Sequence, residues 1–139
     1  TSRAGTGMSL NDKPHIRVVA GRIERNGCYL ITQRMPHAVL PLLWEFPGGR
    51  VEAGESDADA LARELLENLN VRATVDALSM HVEHEYERYF LDLMVYRVEI
   101  LDEPKAVMVN DFRWVAPEEF GDYPFPGADQ QTVEALLGE

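Results

Sequence analysis

The stretch from Gly48 to Val71 constrains this chain more than any other. It opens as a glycine turn, Gly48-Gly49-Arg50-Val51-Glu52, passes a second turn at Ala53-Gly54-Glu55, and runs on from Ser56 into residues with helical spacing. Ser56 is a favoured N-cap, Asp59 three positions on completes a shortened capping box, and Asp57 suits the positive end of a helix dipole. The helix is therefore expected to begin at Asp57. Ala58, Leu61, Ala62, Leu65 and Leu69 recur at intervals of three and four, which turns one stripe toward a core.

Arg63, Glu64, Glu67 and Asn68 fall off that stripe. Helical spacing sets Glu64 beside Glu67 and Asn68, and Arg63 beside Glu67. Two carboxylates on one helical face repel each other unless a cation sits between them. A solvated face with an Arg63–Glu67 pair is the plainer account of these residues. The glycine turn and Glu55 ahead of the helix favour a ligand site instead, because glycines let backbone oxygens approach closely and a hard cation such as Mg2+ takes oxygen ligands.

The same residues carry a resemblance. Gly49, Glu55, Arg63, Glu64, Leu65, Glu67 and Val71 stand at seven positions of the Nudix box, G-x5-E-x7-R-E-U-x-E-E-x-G-U with U a bulky aliphatic residue. Two positions depart. Asn70 replaces the glycine, a mild change because Asn is the next-best residue for a left-handed helix end. Asn68 replaces the second Glu of the pair, which keeps an oxygen and loses a charge. The resemblance to MutT-type members extends over nearly the whole chain: through Ile31-Thr32-Gln33-Arg34, through Trp44-Glu45-Phe46-Pro47-Gly48-Gly49, and through Phe125-Pro126-Gly127-Ala128-Asp129, which is similar to the family stretch Phe-Pro-Pro-Ala-Asn.

The resemblance implies an α/β (α+β) fold of the α/β/α sandwich type, with a mixed β-sheet between helices. It implies a Mg2+-dependent hydrolase, with Mn2+ as the other candidate ion. The substrate would be a nucleoside triphosphate, an oxidised purine one among the candidates, or a nucleoside diphosphate linked to another group. Glu64 and Glu67 would be metal ligands or the general base, and Arg63 would hold the carboxylates. Gly48 would offer its carbonyl to a metal, and Glu55 would fix the loop, ligate a metal or hold a metal-bound water.

Arg34 would meet substrate phosphate; an exposed charge at a strand end is the alternative. Asp129 stands where the family's Asn reads the base. An ionised carboxylate only accepts hydrogen bonds, so Asp129 would change base preference, need a proton, or serve as the N-cap of the last helix. Met108 stands where MutT-type proteins carry a further metal-binding Glu, six residues before Trp114, and a thioether is a poor ligand for Mg2+. Asp111, Glu103 and Glu85 are candidate replacements. With two acidic positions changed, a Nudix-fold module that binds a nucleotide or a protein with little or no turnover is the alternative reading.

Composition sets outer bounds. A chain of 139 residues with 45% hydrophobic content suits one globular domain, expected over residues 11–139. Residues 1–10 are polar and small, with neither a basic n-region nor an apolar h-region. They read as a disordered segment or a processing leftover with Met8 as the natural start, and no secretory signal is expected. Thirteen basic against 24 acidic residues give a net charge of −11, which disfavours gripping a nucleic-acid polymer and means that a polyphosphate would need accompanying cations. Cys28 is the single cysteine, compatible with a reducing cytoplasm, and no apolar run approaches a membrane span.

The remaining elements follow from pattern. His15 to Glu24 and Cys28 to Arg34 read as strands around an Asn26-Gly27 hairpin turn, and Met35 to Leu43, with Pro36 and Pro41, as a loop. Val71 to Met80 and Arg88 to Leu101 have strand character. His81 to Glu87 between them read as solvated hairpin residues; a zinc site from His81, His84 and a carboxylate is disfavoured because an extended chain sends the two histidines to opposite faces. Phe112 to Val115 reads as a strand, Ala116 to Phe120 as a helical turn, and Asp129 as the start of a last helix ending at Gly138.

Overall fold

The computed structural model describes residues 13–139, so the expectations for residues 1–10 lie outside the described residues. Eight strands and two α-helices follow in the order β1 (His15–Arg22), β2 (Glu24–Arg25), β3 (Cys28–Gln33), β4 (Trp44–Glu45), β5 (Gly48–Arg50), α1 (Asp57–Leu69), β6 (Ala73–Glu85), β7 (Phe90–Ile100), β8 (Asp111–Val115) and α2 (Gly127–Leu137), with a 3-10 turn over Pro117–Asp122.

The strands divide between two sheets. One is mixed, in the order β5-β1-β7-β6, with β1 and β7 parallel. The other is antiparallel, with β3 flanked by β2 and β8 and continuing to β4. The Asn26-Gly27 turn forms as the residues dictate, both at positive φ (54° and 78°), the combination that a two-residue primed turn requires. It joins β3 only to the short β2, because the chain leaves the first sheet at Ile23.

Alternation along β1 and β7 builds a core on each side of the mixed sheet. Val19, Met94 and Val98 pack with Ala60, Leu61, Leu65 and Leu69 of α1, while Ala20, Leu93 and Val95 pack with Ala128, Val133 and Leu136 of α2. This is the α/β/α layering expected.

Three details differ from expectation. Ala60, not Ala58, lies on the buried stripe of α1; Ala58 is exposed. Strand β6 continues past Met80 through His81 to Glu85, so these hairpin residues are paired with β7, with His81, Glu83 and Glu85 exposed as expected. Helix α2 starts at Gly127 with Pro126 at the N-cap, which places Asp129 inside the first turn and removes its expected capping role.

Candidate active site

The start of α1 is fixed as its residues require. Ser56 Oγ accepts from the Asp59 amide at 3.1 Å, a cap worth about 1 kcal/mol. Asp57 accepts two hydrogen bonds from Arg17, at 2.8 and 2.7 Å, and these hold its carboxyl below the usual range. At the other end Asn70 adopts the left-handed conformation (φ 56°) and its amide donates to Leu66 O. Both ends being set, the polar face of α1 is presented to β5 in a fixed rotation.

On that face Arg63 is the hub. Its Nε and Nη2 donate to the two oxygens of Glu55 at 2.7 and 3.0 Å, and Nη2 also donates to Arg50 O at 3.0 Å. Its Nη1 donates to both Glu64 Oε2 and Glu67 Oε1, each at 3.0 Å. The planar fork thus gathers three carboxylates and one carbonyl, a geometry that a lysine could not reproduce. The bond from Arg63, with a further one from the Glu52 amide at 2.9 Å, pulls the Glu55 carboxyl below its ordinary value. The paired acids push the Arg63 guanidinium further toward its charged form.

Glu64 sits against β5. A Cβ at Gly49 would fall onto the Glu64 carboxylate, and one at Gly48 would fall onto Val19 O. Gly48 therefore lets β5 lie close against β1, while Gly49 lets the Glu64 carboxylate of α1 meet β5. Asn68 marks that meeting point, its Nδ2 donating to Glu64 Oε1 at 3.0 Å and to Gly48 O at 3.3 Å.

Glu64 and Asn68 line one end of a cleft of about 520 Å3. Further along lie Arg34, Glu45, Phe46, Tyr86 and Asp129, with Val39 and Met108 at the rim. Arg34 donates to Glu45 Oε1 at 3.0 Å and to Val39 O at 2.6 Å. Asp129 is buried and accepts from the Phe46 amide at 3.2 Å. Burial, and then the neighbouring Glu45, push the Asp129 carboxyl up to about 8. Burial likewise raises Glu45, against the opposing pull of Arg34.

Residues 18–135 match the model of the NUDIX domain. The chain belongs to the Nudix family. It is similar to the CTP pyrophosphohydrolase of Escherichia coli, at 36% identity over 88% of this chain and 91% of that one. It is also similar to a putative 8-oxo-dGTP diphosphatase 2 of Mycobacterium tuberculosis, at 37% identity over 86% of each. Among solved structures, that of the E. coli ORF135 protein superposes with a TM-score of 0.80 at 35% identity, covering 94% of both chains. The MutT protein of Methanosarcina mazei Go1 superposes at 0.81 with 22% identity, over 89% of this chain and 94% of that one.

Nudix hydrolases act with a divalent ion, and the donor set here suits one. Glu64 and Gly48 O converge on the single point that the Asn68 amide now reaches, and Glu67 shares the Arg63 Nη1 with Glu64. These are hard oxygen donors of the kind Mg2+ takes. Glu55 stands apart from them, both its oxygens engaged by Arg63 and one also by the Glu52 amide.

The candidate replacements for the missing acid at Met108 are engaged elsewhere. Asp111 pairs with Arg113 at 2.6 Å, Glu103 with Arg25 at 3.1 Å and Glu85 with Lys13 at 2.6 Å. None of them lines the cleft. The residue that sequence reasoning passed over is Glu45, a carboxylate between Trp44 and Phe46, both of which are buried.

Proposed function

We propose that this Nudix hydrolase cleaves a nucleoside triphosphate to the monophosphate and pyrophosphate, using Mg2+ or, in its place, Mn2+. The observation that carries this reading is the approach of Glu64 and Gly48 O to one shared donor in the lining of a cleft large enough for a nucleotide, with Glu67 tied to Glu64 through Arg63 just outside that lining. The curated relatives named for CTP and 8-oxo-dGTP point to the same substrate class.

Each residue has a role in this account. The bound ion would neutralise polyphosphate charge and acidify the attacking water. Glu64 and Glu67, with the Gly48 carbonyl, are the residues that would hold it, and if one of the two carboxylates is not a ligand it would serve as the general base. Arg63 positions both acids, and Glu55 anchors Arg63 to the loop. Arg34 meets phosphate, giving up part of its hold on Glu45. Asp129 faces the base. With its proton held to about pH 8, its carboxyl both donates and accepts, as the amide of Asn would. The free Cys28 and the absence, among the described residues, of a helix long and apolar enough to cross a membrane suit a cytoplasmic enzyme working on free nucleotides.

The test is pyrophosphate release from CTP, dCTP, 8-oxo-dGTP and a nucleotide sugar, with and without Mg2+. Metal-dependent release from a triphosphate supports the reading. Because the Asn68 amide occupies the Gly48 carbonyl, a nucleotide-binding module without turnover is the second reading. Calorimetry that finds tight binding and no product after long incubation would select it.

A further inference from the structure

We propose that His81, Glu83 and Asp92 form a second metal site, outside the cleft, for a borderline-soft divalent ion such as Zn2+. One ligand atom from each of the three lies within 4.8 Å of the others. His81 and Glu83 are two residues apart on β6, so they share a face, and Val82 between them is buried in the core on the opposite side. Asp92 of β7 is the direct cross-strand partner of Glu83. The three donors therefore ride on one rigid antiparallel pair.

The pairing is costly as it stands. Like charges directly opposite each other destabilise a sheet. Among the described residues, no lysine or arginine forms an ion pair with Glu83 or Asp92. Arg17, the partner of Asp92 on β1, gives its hydrogen bonds to Asp57 and offsets Asp92 only through space, and Tyr96 of the same face also donates to Asp57, at 2.6 Å. What does approach Asp92 is the imidazole, with His81 Nε2 3.1 Å from Asp92 Oδ1.

The chemistry selects the ion. An imidazole with two carboxylates suits Zn2+ better than Mg2+, and three protein ligands leave a fourth, tetrahedral position for water. Donors bound to one tetrahedral Zn2+ lie about 3.4 Å apart. No pair here must therefore close by more than about 1.4 Å, and His81 Nε2 and Asp92 Oδ1, at 3.1 Å, need only part slightly; His81 and Glu83 are exposed and Asp92 is half-buried. None of the three residues lines the cleft, so the site is separate from the catalytic acids. Its ion would offset the repulsion between Glu83 and Asp92 and staple β6 to β7.

Calorimetric titration of the full chain with ZnCl2 tests this, with the Glu64→Gln/Glu67→Gln double variant as a background in which the catalytic acids cannot compete. The double variant is expected to bind one equivalent of Zn2+ and the parent at least one, with Tm raised in both. His81→Asn, and separately Glu83→Gln, should weaken that binding at least about tenfold and abolish the Tm rise. Should circular dichroism find one of these variants misfolded, the other decides. Zn2+ binding that is unchanged in both variants, or that is absent from the Glu64→Gln/Glu67→Gln background, would overturn the proposal.

Discussion

Asn68 Nδ2 donates to Glu64 Oε1 at 3.0 Å, so the residue standing where the Nudix box has an acid steadies the acid one turn before it. Replacing it by the acid of the motif should have opposite effects with and without metal. In Asn68→Glu the metal-free protein should lose about 0.2–0.5 kcal/mol through like-charge repulsion at i,i+4. With Mg2+ present the added oxygen should tighten ion binding about tenfold and reverse the loss. Thermal melts across a Mg2+ titration check both signs.

Arg63→Lys keeps the charge and loses the fork. Lysine cannot serve Glu55, Glu64, Glu67 and Arg50 O together, so kcat should fall about 10- to 100-fold, with a weaker dependence on Mg2+. Steady-state kinetics at several Mg2+ concentrations provide the measurement. An unchanged kcat would remove the positioning role assigned to Arg63.

Gly49→Ala places a methyl group where the Glu64 carboxylate lies. The displaced acid should lower kcat/KM about 100-fold while far-UV circular dichroism stays near that of the parent. Full activity would mean that Glu64 can leave its position against β5 without consequence.

These positions also mark how far the sequence could be read. Helix α1 was legible at both ends, because Ser56 and Asn70 each supply a local device, a side-chain cap and a left-handed terminus, that acts without tertiary help. The buried stripe was less so: alanine contributes little to a hydrophobic face, and the choice between Ala58 and Ala60 was made by packing. Strand β6 hid its far end because register shifts between Val75 and Met80 break its alternation and His81–Glu85 are polar apart from Val82. Asp129 resembled a cap because Asp favours that position, yet Pro126 starts the helix earlier and turns the carboxyl inward. Glu45 sits on a two-residue strand, too short for any periodicity to announce that it faces the cleft.

Asp129 should leave its mark on stability against pH. Its carboxyl titrates near 8 in the folded chain against an ordinary 3.8, so the folded state keeps the proton longer than the unfolded one. The resulting stabilisation is complete below about pH 4 and is lost as pH rises through about 8, with a slope approaching about 1.4 kcal/mol per pH unit. Denaturant unfolding at a series of pH values should show this decline in the parent and a flatter profile in Asp129→Asn. Equal slopes in the two proteins would contradict the burial argument.

The most direct test of the account is a crystal structure grown with Mg2+ and a non-hydrolysable nucleoside triphosphate. The prediction is an ion about 2.1 Å from a Glu64 oxygen and from Gly48 O, with the Asn68 amide turned away and the polyphosphate beside it. Glu64 and Glu67 surrounded only by water, with Asn68 still donating to Gly48 O and the nucleotide bound elsewhere, would contradict it.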